Sequence, residues 1–214
     1  MDEETAIIDQ NTRNEKIKNF FIKNKNKIIS IVVVLIVILC IFFGYGEYSD
    51  REKNKLSDKY NSLTIQFSAQ NKEVVKKGLI EIIKEKDSTY SPLALYFIID
   101  NQLSVKLDEI NNYFDILIND TSLEKEIKNL IIYKKALYNA DQADEIQLLE
   151  ILKPILNSES VWKSHALYLI AEFFYFKDQK QKAKEFFDQI ILLENSNQDI
   201  KTQTQQRLNR DLSE

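Results

Sequence analysis

Residues able to carry catalytic or metal chemistry are scarce in this sequence. It has one histidine, His165, and one cysteine, Cys40, which excludes a zinc site of several histidines and a disulfide within the chain. It contains no CxxC, P-loop, GxSxG or HExxH motif. Neighbouring carboxylates lie on helices of mixed charge, where we expect solvated faces, at Asp108 with Glu109 and at Asp144 with Glu145. We therefore expect no enzyme activity, no cofactor, no metal and no small-molecule substrate.

Four side chains, one of them the single histidine, suit binding better than catalysis. They recur at helical spacing: His165, Tyr168, Glu172 and Tyr175. Aromatic side chains bury much area at little entropic cost, and one carboxylate sets polarity, which suits an extended or helical peptide. The alternative is that the two tyrosines pack in the core with wet hydroxyls. We expect the four to line a partner-binding groove.

An apolar run at residues 28–46 holds nineteen residues without a formal charge. At about 1.5 Å per residue, a helix of this length crosses the ~30 Å hydrocarbon core of a bilayer. Because lipid offers no partners for backbone amides, such a segment has to be helical. The run therefore predicts one transmembrane helix, and the protein is expected to be anchored in a membrane.

Basic residues flank this run unevenly and predict its orientation. Six Lys or Arg residues precede it and four lie in the comparable stretch after it, so residues 1–27 are expected in the cytoplasm of a bacterium. The remainder is then periplasmic and the span lies in the inner membrane. A cleavable signal peptide would have a shorter apolar run and a small-x-small site. A lipoprotein would acylate Cys40, yet Val37, Ile38 and Leu39 precede it where small residues are required.

The chain after the span has the composition of an all-α protein. One glycine, Gly78, and two prolines, Pro92 and Pro154, interrupt it, too few for the turns of a sheet. The dominant residues favour helix. From residue 47 onward 23 Lys and Arg stand against 28 Asp and Glu, with no basic face interleaved with aromatics. Nucleic acid is therefore not an expected partner.

Helix boundaries follow from turn and capping signals. A helix is expected to leave the membrane after a soft joint at Gly44 and Gly46, and another to cover residues 72–86. Ser91 with Pro92 predicts the N-cap and first turn of the next helix. Later capping signals lie near residues 121, 141, 160, 178 and 196. The very short connections between these helices predict antiparallel helix hairpins.

Internal repetition indicates a solenoid of such hairpins. Asp-Gln at 141–142 recurs at 178–179, and Ala-Leu-Tyr at 94–96 recurs at 166–168, which implies a unit near 36 residues. That length is close to a tetratricopeptide period. Generic helix-pair solenoids remain an alternative.

The last unit fits the tetratricopeptide register best. A small residue, Ala171, allows close helix crossing, and the following slots hold Phe174, Ala183 and Phe187. This register aims the side chains at 165, 168, 172 and 175 toward the concave groove. In the earlier units Leu95 and Lys134 fall near the small slots, with an alignment uncertain by one turn.

The predicted organisation has five parts. A cytoplasmic tail at 1–27 and the transmembrane helix at 28–46 precede membrane-proximal helices at 47–90. Tetratricopeptide-like repeats cover 91–195 and a C-terminal capping helix covers 196–214. That last helix carries one narrow stripe, at Ile200, Thr204, Leu208 and Leu212, as expected for a cap that is apolar on one side and wet on the other.

The chain resembles the YfgM-like family of ancillary Sec translocon subunits. The likeness covers most of its length and lies in the order and spacing of several segments. These are the acidic start at 2–4, IKNFFIKN at 17–24, STYSPLAL at 88–95, NADQAD at 139–144 and the last repeat with its polar tail. The resemblance implies a periplasmic tetratricopeptide-like domain that associates with the translocon and with periplasmic chaperones, without an enzymatic reaction.

The expected function is therefore a non-enzymatic, membrane-anchored scaffold or accessory subunit of the Sec translocon. Two alternatives stay open. One is a periplasmic assembly factor for envelope or cell-division proteins, with the same fold and topology. The other is an enzyme or sensor subunit whose activity depends on a partner.

Overall fold

The computed structural model describes residues 18–20, 22–104 and 106–212, so the acidic start and most of the predicted tail lie outside the described residues. The described part of the chain contains helices and no β-strand, which confirms the expected all-helical class. The chain divides into two units, Met1–Lys55 and Leu56–Glu214. Each unit is described by itself.

Helix α1, Lys25–Ile65, contains the apolar run and is long and apolar enough to cross a membrane. The large apolar side chains described within the run are exposed, Phe42 for instance by 71%. The soft joint predicted at Gly44 and Gly46 is wrong, because both glycines lie inside α1. A single glycine costs a helix only about 1 kcal/mol, and the long helix-forming sequence on either side outweighs that cost.

The second unit is a series of hairpins whose helices recur at nearly constant intervals. The first helix of successive hairpins begins at residues 90, 125, 163 and 198, with intervals of 35, 38 and 35. The second helices begin at 72, 107, 145 and 180, with the same intervals. This periodicity confirms the predicted unit near 36 residues. The helices are α2 Lys72–Lys84, α3 Tyr90–Asp100, α4 Leu107–Asp115, α5 Lys125–Asn139, α6 Glu145–Leu156, α7 Lys163–Phe176, α8 Lys180–Leu192 and α9 Gln198–Asp211.

Two departures from regularity occur early in this series. Helix α2 ends at Lys84, two residues before the predicted end. Helix α4 is extended by one wide turn of π-helix, Ile116–Asp120, which the sequence pattern did not predict. Such single turns occur as local bulges in helices, and this one brings Leu117 into the core.

The core consists of two apolar clusters joined by α5. One cluster is built from α2, α3 and α4 with side chains from the end of α1, including Leu56, Tyr60 and Leu63. The other is built from α5 to α9. Adjacent residues of α5 serve both, because Ile131 belongs to the first cluster and Ile132 to the second. The hairpins therefore share a continuous core rather than forming separate domains.

Small buried residues allow the helices to cross closely. Helices α3, α5, α7 and α9 each contain at least one small residue with no exposed surface, among them Ala94, Ala136, Ala171 and Thr204. In α5 the small residue therefore lies two positions after Lys134, which is itself exposed. Ala136 precedes Ala171 by 35 residues, so a buried small residue lies one repeat before that of the last hairpin, although the sequence pattern indicated a charged residue near this slot.

The C-terminal helix α9 packs one side against the core. Its narrow stripe contacts the second core cluster, where Leu212 is buried and Ile200 and Leu208 are half-buried. Thr204 is fully buried and donates its hydroxyl hydrogen bond to the Ile200 carbonyl at 2.7 Å. The rest of α9 is polar and mostly exposed, so the outer side of this helix faces solvent.

Helix starts differ from the predicted caps. Ser91 lies inside α3, where its buried hydroxyl donates to the Ile82 carbonyl at 2.7 Å, so it joins two helices instead of capping one. A complete capping box occurs at α6, where Asp144 and Gln147 exchange side-chain and backbone hydrogen bonds. The remaining later helices begin two to four residues after their predicted capping signals, because the chain uses a turn between the signal and the helix.

Three helices end at a non-glycine residue in the left-handed conformation. Lys86, Gln102 and Asp178 have φ values of 56°, 51° and 57° and follow α2, α3 and α7. After α3, the amide of Gln102 donates to Ile99 and that of Leu103 to Ile98, which is a Schellman motif. This position normally favours glycine. Because other residues occupy it here, the chain ends these helices sharply although it contains few glycines.

We predict that Gln102→Gly stabilises the protein. Glycine adopts positive φ without the steric cost that an L-residue pays there, so the free energy of unfolding should rise by about 1 kcal/mol. Chemical denaturation of the full chain in detergent measures this change. Gln102→Ala keeps the steric cost and is the matched control. An equal effect of both substitutions, or destabilisation by glycine alone, would contradict the assignment of strain to this residue.

Candidate functional site

The four predicted groove residues lie on one face of α7. His165, Tyr168, Glu172 and Tyr175 are all half-buried, and their spacing of three to four residues keeps them on one side of the helix. The opposite side of α7 is buried in the core and includes Ala171 and Phe174. The face that was predicted from the repeat register is therefore partly open to solvent.

An aromatic cluster surrounds His165 at the start of this face. Tyr133 of α5 stacks on Trp162, with ring centroids 5.9 Å apart and planes at 20°. The His165 ring lies 5.0 Å from Trp162 and 5.8 Å from Tyr133. Burial lowers the pKa of His165, and an interaction with the backbone of Val161 partly opposes that effect. The imidazole is therefore neutral near pH 7 and acts as an aromatic partner.

Tyr168 connects the face to the core below it. Its ring lies edge-on to Phe187 of α8, with centroids 5.5 Å apart. Burial, together with the charge and hydrogen bonding of Glu172, raises the pKa of Tyr168 to about 12. The phenol therefore stays protonated and can donate to Glu172. This position combines a packing role with a polar end.

Glu172 is held by the C-terminal helix. Arg207 of α9 donates from Nε to Glu172 Oε1 and from Nη2 to Oε2, both at 2.6 Å, in a bidentate ion pair. The guanidinium also lies over the Tyr175 ring, with its carbon 4.3 Å from the centroid, and pairs with Asp211. The hydrogen bond to Glu172 raises the pKa of Arg207 further, and Arg210 and Arg207 lower the pKa of Asp211 to about 2.

Two of the four predicted residues are thus already in contact with another helix of the protein. Glu172 already has a strong partner, and one face of Tyr175 is covered by Arg207. Bidentate arginine–carboxylate pairs are directional and comparatively strong. This end of the face is a structural contact between α7 and α9 in the present conformation, whereas His165 faces the aromatic cluster.

Next to that contact lies an open pocket between α5 and α7. It has a volume of about 360 Å³ and is bounded by the last turns of the two helices. Its apolar lining includes Phe176 and Leu137, which are 86% and 46% exposed. Asp141 and Lys177 stand at its edge. We call this feature the α5–α7 pocket.

The carboxylate pairs have structural roles. Asp108 is exposed, but Glu109 is half-buried and accepts hydrogen bonds from Ser104, from Tyr113 at 2.9 Å and from Lys76 at 3.2 Å. The Ser104 hydrogen bond is the main reason that the pKa of Glu109 is lowered. The expected solvated face is thus wrong for Glu109, which ties α2 to α4.

The second carboxylate pair is structural too. Asp144 caps α6, and Glu145 pairs with Lys182 of α8 at 2.9 Å. Within the described residues no group of three His, Cys, Asp or Glu side chains could hold a metal ion.

Sequence reasoning missed several residues of this face. Tyr133, Trp162, Phe176 and Arg207 belong to neighbouring positions, and two of them, Arg207 and Tyr133, had a usable signal. Arg207 follows Glu172 by one repeat of 35 residues. Tyr133 and Leu137 precede Tyr168 and Glu172 by the same 35 residues. A register anchored on Ala136 would have identified both.

Comparison with known protein families identifies the family to which this chain belongs. Residues 18–209 match the family described as tetratricopeptide repeat-like domain, which is most of the chain. No curated protein and no solved structure matches the chain. The match agrees with the periodic hairpins, the buried small residues and the capping helix found in the structure. The chain therefore belongs to the tetratricopeptide repeat-like domain family.

Proposed function

We propose that this protein is a membrane-anchored, non-enzymatic scaffold that serves the Sec translocon as an accessory subunit. Domains of the tetratricopeptide-like kind mediate protein–protein interactions, so a protein partner is the natural ligand of the repeat unit. The observation that carries the proposal is the family match over residues 18–209, which joins one apolar helix to a repeat unit in a single chain.

The proposed topology follows from the apolar run. Residues 28–46 form the span, residues 1–27 remain in the cytoplasm, and the repeat unit lies in the periplasm of a bacterial inner membrane. The exposed apolar side chains of α1 support this arrangement, because about twenty such residues are strongly favoured in lipid over water. The basic tail supports the orientation.

The proposed contact surface is the face of α7 with the neighbouring face of α5. His165, Tyr168, Glu172 and Tyr175 form its α7 part, in which a partner would meet Glu172 and Tyr175 already in contact with Arg207, and the α5–α7 pocket continues it. Support comes from aromatic side chains that are only half-buried and from Phe176, which is left almost entirely in water. Large exposed aromatics of this kind are typical of protein interaction sites. The proposed partners are translocon subunits and periplasmic chaperones.

Topology is testable with the single cysteine removed. In a Cys40→Ser background, a new cysteine at Asn14 should resist a membrane-impermeant maleimide in intact spheroplasts, and one at Glu159 should react. Permeabilisation should make the first cysteine reactive, since only the bilayer protects it. Labelling of both in intact cells, or recovery of a shortened protein in the soluble fraction, would contradict an uncleaved anchor with an internal tail.

Site-specific crosslinking tests the proposed role. A photo-reactive amino acid at Phe176 of the full chain, activated in intact membranes, should capture Sec translocon subunits or periplasmic chaperones, identified by mass spectrometry. The matched control is the same amino acid at Ile146 of α6, which is 77% exposed and lies outside the proposed surface. Capture of envelope-assembly proteins in place of the translocon, or equal capture from both positions, would overturn the proposal.

A further inference from the structure

The α5–α7 pocket has the size and lining to accept one large side chain. Its volume of about 360 Å³ lies at the small end of the range for protein binding pockets. Leu137, Leu169, Phe173 and Phe176 supply the apolar lining. Phe173 is nearly buried, whereas Phe176 is 86% exposed, so most of the area that a partner could cover belongs to one aromatic ring.

The edge of the pocket favours a positive charge. Asp141 is exposed and forms no ion pair with any residue that the structure describes. Both α5 and α7 end here, at Asn139 and Phe176, and the carboxyl end of each helix carries about half a negative charge. The opposing charge is Lys177, whose ammonium lies 5.4 Å from the centre of the Phe173 ring. Glu172 also lines the pocket, but its charge is offset by its ion pair with Arg207. The balance is negative because Asp141 and the two helix ends together outweigh Lys177.

The protein's own C-terminal helix shows that this face of α7 accepts a basic side chain. Arg207 lies against the Tyr175 ring and pairs with Glu172 next to the pocket. Its guanidinium thus combines an aromatic contact with a carboxylate contact. The pocket repeats this combination one step along the face, with Phe176 as the aromatic and Asp141 as the carboxylate, but there no described residue of the chain fills the position.

We propose that the α5–α7 pocket binds a partner segment in which a large apolar side chain stands next to a lysine or arginine. The apolar side chain covers Phe176 and Leu137, and the cation pairs with Asp141. This inference rests on the proposed function as a protein-binding scaffold and names the chemistry of the segment that the scaffold accepts. A segment with an acidic residue in the same place would face Asp141 and two helix carboxyl ends, and is disfavoured.

Defined peptides test this preference on the full chain in detergent. The probes are fluorescent peptides of alanine and glutamine with one central phenylalanine or alanine, flanked by arginine, glutamine or glutamate, and the readout is fluorescence anisotropy. Phenylalanine should bind about tenfold more tightly than alanine. Arginine should bind about threefold more tightly than glutamate, as expected for an exposed ion pair.

Single substitutions assign the preference to the pocket. Phe176→Ser should weaken all phenylalanine peptides, Asp141→Lys should reverse the order of the arginine and glutamate peptides, and Lys177→Glu should increase the preference for arginine. Ile146→Ser is the matched control and should change nothing. These side chains are exposed, so circular dichroism and the melting temperature should stay the same in every variant.

Several results would overturn the inference. They are equal binding of the arginine and glutamate peptides, an unchanged order in Asp141→Lys, or an equal loss in Ile146→Ser. If translocon subunits are still captured from position 176 while the peptides show no charge preference, the inference fails and the proposed function stands. If the peptides behave as expected but no translocon subunit is captured, the proposed function fails and the pocket chemistry stands.

Discussion

Close crossing of helices at a small buried side chain is the constraint on which the rest of this structure depends. Ala136, Ala171 and Thr204 have no exposed side-chain surface, and each lies on the first helix of its hairpin. Because packing at these points is tight, a larger side chain would force the helices apart and shift every later contact. Short connections leave no slack to absorb such a shift. The hairpins recur along the chain at intervals of 35 to 38 residues.

That register decides which polar groups meet between hairpins. Ser160 donates to Glu126 at 2.7 Å, and the amide of Asn197 donates to Ser164 at 3.2 Å, both across about one repeat. Arg207 reaches Glu172 over 35 residues in the same way. Each of these contacts ties a helix to its equivalent in the next hairpin. The face of α7 is thus divided into a part closed by α9 and a part, the α5–α7 pocket, that stays in contact with water.

The fold was largely predictable because its signals are repetitive. Helical composition, the scarcity of glycine and proline after the span and the recurrence of Asp-Gln predicted the class and the period. Helix boundaries were harder to predict. Three helices are followed by Lys86, Gln102 and Asp178 in the left-handed conformation, where glycine is the usual signal. The break expected at Gly44 and Gly46 does not occur, because α1 continues through both glycines.

The placement of the candidate residues on one face of α7 was predictable, whereas their contacts were not. The register placed four residues of α7 on one face, yet it could not show that Arg207 holds Glu172, because α9 was considered only as a cap. Stacking of Tyr133 on Trp162 depends on the exact offset between α5 and α7. That offset could not be predicted because the small slot of α5 was misaligned. Contacts between repeats are decided by a shift of two residues, and sequence periodicity alone does not resolve that shift.

Hydrogen exchange of the full chain in its native membrane, compared with the chain purified in detergent, tests the central claim most directly. A scaffold that engages its partner through the face of α5 and α7 predicts slower exchange in the membrane at residues 137–144 and 169–179. The same comparison should show no change in α6. Protection confined to α6 and α8, or equal exchange everywhere in the two preparations, would contradict the account.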